Sequence, residues 1–105
     1  MAILSLHYRM PEDGTFDFDY YTSEHLRLVQ RIWGPLLTQV QVLKGVAAPG
    51  SQANPDFALI TLLHFASDAD LTSALAHPEA GSLQQDIANF SPVLPAMQFN
   101  SELAG

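Results

Sequence analysis

The stretch from Phe57 to Phe65 reads FALITLLHF, with Thr61 and His64 as its only polar residues. It is too short to cross a bilayer, which needs roughly 20 apolar residues, and too apolar for a strand with one wet face. It therefore predicts a strand over Asp56 to Phe65 that is covered on both sides. A chain of 105 residues with no cysteine buries only about two thirds of its unfolded surface and has no disulfide to compensate. A second copy of the chain, packed sheet against sheet, is the natural cover. A homodimer is the expected partner arrangement.

The rest of the chain supplies the elements around that strand. Ala2 to Arg9 alternates, with Leu4, Leu6 and Tyr8 on one face and Ile3, Ser5, His7 and Arg9 on the other, which predicts a first strand. Pro11, Asp13 and Gly14 make Met10 to Thr15 a turn. At 100° per residue, Phe18, Tyr21, His25, Leu28, Val29 and Ile32 share one helix face, opposite Asp19, Ser23, Arg27, Gln30 and Arg31. Gly34-Pro35 ends that helix. Gln39 to Ala47 reads as extended, and Ala48 to Pro55 as a loop. Ser67 opens a second helical region, split by Pro78 and Gly81 into a piece with Leu71, Ala74 and Leu75 and a piece with Leu83, Ile87 and Phe90. Ser91 to Pro95 is a turn and Ala96 to Leu103 a last strand. The order β-α-β-β-α-β predicts one α+β domain over residues 1–105. It is ferredoxin-like, with a four-stranded antiparallel sheet, both helical regions on one face, and pairing into a dimeric α+β barrel.

A net charge of −7 repels phosphate backbones and anionic lipid, so the chain is expected to bind no nucleic acid and no membrane. The apolar run Ala2 to Leu6 is too short for a signal core, which leads to the expectation of a cytoplasmic protein. Without cysteine there is no thiolate nucleophile, redox pair or cysteine zinc site.

Phe18-Asp19-Tyr20-Tyr21, followed by His25 and entering the first helix after a short strand and a turn with Pro11 and Gly14, resembles the opening motif of EthD-domain proteins. Phe65 at the end of the third strand, with Asp86-Ile87-Ala88-Asn89-Phe90 closing the second helical region, resembles that family's second motif, and together the matches span nearly the whole chain. The family has proline two positions after the histidine, where this chain has Arg27. The resemblance implies a small dimeric α+β barrel with a pocket for a small apolar or aromatic molecule. The family name comes from ethyl tert-butyl ether degradation, and fungal relatives are linked to aromatic polyketides.

His25 lies at the centre of the first helix's apolar face, where an imidazole needs a hydrogen-bond partner. It fits a satisfied core histidine or, as the resemblance implies, an acid/base group. Tyr21, one turn earlier on the same face, is its candidate partner in orienting a ligand or moving a proton. Asp86 flanks the second helical stripe, and two antiparallel helices on one sheet face can bring it level with His25, where it would fix the imidazole tautomer or simply bond nearby backbone. Trp33, Phe90 and Phe18 are the expected pocket wall, with plain core packing as the alternative for Trp33. Arg9 is the candidate for an anionic group or a surface ion pair.

His7 and His64 fall at opposite ends of the sheet, and no clustered ligand spacing is present, so no metal site is expected. No cofactor is expected either, although haem, bound by related barrels through one histidine, stays open. Two functions follow: a cofactor-free enzyme of oxygenase, decarboxylase or isomerase type in a degradative pathway, or a non-catalytic binding or accessory protein using the same pocket.

Overall fold

The computed structural model describes all residues, 1–105. Its sheet holds β1 (Ala2–Arg9), β2 (Leu37–Lys44), β3 (Phe57–Phe65) and β4 (Ala96–Ser101) in the order β2-β3-β1-β4, all antiparallel. The first helical region begins as α1 (Phe18–Tyr20), passes through a π-helical turn (Tyr21–His25) and continues as α2 (Leu26–Trp33), which a 3₁₀ turn at Gly34–Leu36 ends. The second comprises α3 (Asp68–Leu75), α4 (Ala80–Asp86) and a 3₁₀ turn at Ile87–Asn89. This is the ferredoxin-like α+β arrangement that the order of elements predicts.

The ends of the elements have local causes. Asp17 accepts a hydrogen bond from the Tyr20 amide and Ser67 one from the Asp70 amide, each satisfying a donor that the first helical turn cannot. β2 stops at Lys44, opposite Leu59 and short of the expected Ala47, although the Gly45 amide still donates to the Ala58 carbonyl at 2.8 Å. β4 stops at Ser101, opposite Ala2, rather than at Leu103.

Leu4 pairs with Leu63, Leu6 with Thr61 and Tyr8 with Leu59 in the sheet register, so these side chains form one face, and both helical regions pack on it. Two buried clusters share that face. One is mainly aliphatic, around Leu4, Val29, Ile32, Trp33, Leu63 and Phe65. The other is mainly aromatic, around Tyr8, Phe16, Tyr21, Leu59, Ile87 and Phe90. The opposite face, with Ile3, Ile60, Leu62 and Leu43, has no covering layer in the single chain. Of β3's two faces, then, one chain covers only one.

Candidate functional site

Between the two core clusters the packing is interrupted. A cavity of about 390 Å³ separates them, walled by Leu4, Val29, Trp33 and Leu63 on the aliphatic side and by Tyr8, Tyr21 and Ile87 on the aromatic side. Leu6 and Thr61, in register at mid-strand, form its floor. Its mouth opens beside β4, rimmed by Leu75, Leu94 and Met97, all substantially exposed apolar residues. A largely apolar pocket of this size with a few convergent polar groups is the usual form of a small-molecule site.

His25 is one of those polar groups. Its Nδ1 lies 2.8 Å from Asp86 Oδ2, and its ring packs 4.6 Å from that of Phe90 and 5.2 Å from that of Tyr21. Asp86 is itself held, its Oδ1 accepting from the Tyr20 hydroxyl at 2.6 Å and from Asn89 Nδ2 at 2.9 Å. Burial holds His25 below the usual imidazole range, and the Asp86 carboxylate only partly offsets it. Burial alone would raise the Asp86 carboxyl, but the hydrogen bonds from Tyr20, His25 and Asn89 outweigh it and hold the group below its ordinary value. A neutral imidazole beside an ionised carboxylate has one consistent proton arrangement: Nδ1–H donates to Asp86, and Nε2 keeps its lone pair. Nε2 makes no hydrogen bond within the chain, and His25 lies on the cavity wall.

The second polar group is a hydroxyl pair. Tyr21 Oη and Thr61 Oγ1 hydrogen-bond to each other across the helix–sheet interface. Burial pushes the Tyr21 phenol up to about 12, against the lowering effect of Thr61, so it stays protonated at neutral pH. Two hydroxyls that share one hydrogen bond leave one O–H proton uncommitted. The cavity thus presents a base at His25 and a spare donor at Tyr21 and Thr61, and its wall also carries the Tyr8 phenol and the Gln84 side-chain amide.

Among the residues singled out from sequence, the structure brings His25, Tyr21, Asp86 and Trp33 to this site. Asp86 lies behind His25 rather than on the cavity wall. Trp33 is buried wall, its indole N–H donating to the Ala74 carbonyl at 2.8 Å. Phe90 and Phe18 do not line the cavity, which corrects the expectation for both. Phe90 packs behind His25 and Tyr21. Phe18 is turned away, packed on Phe16 and beneath Lys44 Nζ. The π turn explains this. One extra residue in a turn rotates everything before it by about 100° on the helical wheel, which carries Phe18 off the core face and Tyr20 towards Asp86. Tyr20, Asn89 and Thr61 were not singled out as site residues. Tyr20 and Asn89 stand inside the two motifs, and Thr61 is, with His64, one of the two polar residues in its strand, which is the one signal that marks it. Arg9 stacks on the Phe57 ring at 5.1 Å, on the uncovered sheet face and away from the cavity.

No group of three or more histidines and carboxylates is placed to hold a metal ion. Haem would find one axial ligand here, His25 Nε2, but a cavity of about 390 Å³ holds only about half of its roughly 40 non-hydrogen atoms at protein packing density, so the space present does not fit it. No helix is long and apolar enough to cross a membrane.

Comparison with known proteins gives a consistent answer. The chain is 29% identical over 102 residues to an uncharacterized 11.0 kDa protein in the thcB-thcC intergenic region of Rhodococcus erythropolis, covering 97% of this chain and 95% of that protein. It shares its fold with the crystal structure of an EthD-like protein from Ralstonia eutropha JMP134, with a TM-score of 0.86, 24% identity, and coverage of 98% of this chain and 92% of the other. The fold is also that of SnoaB, a cofactor-independent oxygenase from Streptomyces nogalater, with a TM-score of 0.63, 8% identity, and coverage of 99% and 93%. The EthD domain matches residues 11–92, a span that contains Tyr20, Tyr21, His25 and Asp86, and this chain belongs to the EthD family.

Proposed function

We propose that this protein is a cofactor-independent acid/base catalyst acting on a small, largely apolar or aromatic molecule in the cavity between its helices and sheet. The observation that supports this reading is the state of His25: Nδ1 is committed to Asp86 at 2.8 Å, and Nε2 is unpaired at an apolar wall. Nε2 takes a proton from a carbon beside a carbonyl or from a phenol. The electron pair stays on the substrate as an enolate or phenolate, and the imidazolium that forms is stabilised by the Asp86 carboxylate. The uncommitted hydroxyl proton of the Tyr21–Thr61 pair donates to the oxygen on which charge develops. In this scheme His25 and Tyr21 are catalytic and Asp86 is a positioning residue. SnoaB, named a cofactor-independent oxygenase, gives a precedent on the same fold for chemistry without a cofactor, and the family name suggests a degradative setting.

The working species in this reading is a homodimer. Ile60, Leu62 and Leu43 lie on a sheet face that nothing in the single chain covers, and a second copy buries it.

The test uses 2-tetralone, a bicyclic ketone with acidic C–H bonds, in D₂O. Exchange of its α-hydrogens, followed by NMR, is expected to run faster with the protein than in buffer and to return to the buffer rate with His25→Gln. Binding of 2-tetralone without accelerated exchange would overturn catalysis and leave the protein a binding or accessory module with the same pocket.

A further inference from the structure

The chain has only four Lys and Arg residues, and the structure places each of them away from the cavity. Arg9 stacks on Phe57 on the uncovered sheet face. Arg31 pairs with Glu79 at 3.1 Å. Lys44 sits over Phe18, and Arg27 is exposed on α2. The cavity wall holds no cation, and the carboxylate of Asp86 stands behind His25. From this we infer that the site takes an uncharged ligand that brings its own acidic proton, a phenol or enol, and rejects ligands that carry a carboxylate or phosphate into the cavity. The inference rests on the acid/base reading of His25 and narrows its substrate class.

A carboxylate entering this space gives up its water, finds no Lys or Arg, and approaches a second carboxylate through one imidazole; each of these disfavours it. A neutral hydroxyl meets none of those costs. It donates to His25 Nε2 and accepts from the spare hydroxyl proton of Tyr21 and Thr61, so the base and the hydroxyl pair are satisfied at once. If the proton transfers, the O–H bond breaks, the N–H bond forms at Nε2 and the pair of electrons stays on oxygen. The imidazolium then lies between two anions, the new phenolate and Asp86. Size is also bounded: at the packing density of protein interiors, 390 Å³ accommodates about 20 non-hydrogen atoms, the scale of three or four fused rings.

The experiment compares 2-naphthol, 2-naphthoic acid and naphthalene by titration calorimetry on the wild-type protein at pH 7.5. The expected order is naphthol tightest, with naphthoate weaker than naphthol by about tenfold or more. In His25→Gln the advantage of naphthol over naphthalene is reduced while naphthalene binds as before. Naphthoate binding as tightly as naphthol overturns the inference, and so does the absence of binding by all three. The wild-type comparison stands alone should His25→Gln not fold. Exchange of 2-tetralone reports separately on His25 as a base: accelerated exchange together with tight naphthoate binding would sink the charge inference alone, and naphthol preference without exchange would sink the catalytic reading alone.

Discussion

Asp86 Oδ2 accepts from His25 Nδ1 at 2.8 Å across a sequence separation of 61 residues. This contact joins the π turn of the first helical region to the C-terminus of α4. The carboxylate is held at both oxygens, by His25 on one and by Tyr20 and Asn89 on the other, so it cannot swing away from the imidazole without giving up two further hydrogen bonds. The side chain that sets the His25 tautomer is therefore itself fixed by residues outside the cavity.

Stability should fall on mild acidification. Burial holds folded His25 below its ordinary 6.5, with Asp86 opposing, so the unfolded chain binds the proton at higher pH than the folded one. The contribution is fully present above about pH 6.5 and is lost as pH falls from there through the folded value. Asp86, net lowered from 3.8, adds a second loss that begins only below about pH 4. Thermal unfolding between about pH 7.5 and about pH 5 should show a falling midpoint. The slope should be shallower in His25→Gln, and an equal slope in both proteins would place its origin elsewhere.

Tyr20→Phe should raise the titration of His25. Without the phenol, Asp86 Oδ1 keeps only Asn89, more of the carboxylate's charge acts on the imidazole, and the protonated form gains. An NMR titration of the His25 ring carbons reads this directly. An unchanged or lower midpoint would show that the phenol does not act on His25 through the carboxylate.

Leu63→Ala should be among the costlier single changes. Leu63 is 1% exposed, belongs to the aliphatic cluster and already borders a cavity. Its truncation should enlarge that cavity and cost about 3 to 4 kcal/mol in chemical denaturation. A loss below about 1 kcal/mol would mean that the helices collapse onto the sheet to fill the gap.

Leu62→Asp tests the uncovered sheet face. Leu62 pairs with Ser5 and Gln41 in the middle of that face and makes no part of either buried cluster. Sedimentation of the wild type should give twice the chain mass of 11.5 kDa, and the variant should run as a folded monomer because an unpaired carboxylate in a dry interface is strongly disfavoured. A wild-type monomer would remove the homodimer.

The strands, the Ser67 cap and the order of elements were legible in the sequence because they rest on short-range causes. Alternation in Ala2–Arg9 exposes its two faces directly. Ser67 with Asp70 announces a helix start that the structure reproduces. Where β4 stops was not legible, since Ser101 ends it only because the neighbouring strand β1 ends opposite it at Ala2.

The candidate site divides in the same way. That an imidazole sits on an apolar helix face, and that a carboxylate closes the second helical region, is written in residues 18–32 and 83–90, where periodicity alone assigns the face. Which aromatic side chains reach the cavity was decided by the π turn at Tyr21–His25. A wheel of constant pitch cannot anticipate it, because the extra residue is accommodated by packing against the sheet and not by any local preference of the segment. The hydroxyl pair of Tyr21 and Thr61, separated by 40 residues, and the absence of any cation from the cavity wall exist only once helix and sheet are docked. Sequence determined the kinds of groups available to this protein. Tertiary structure decided which of them share one space, because proximity between distant residues depends on the fold as a whole and not on the pattern of any one segment.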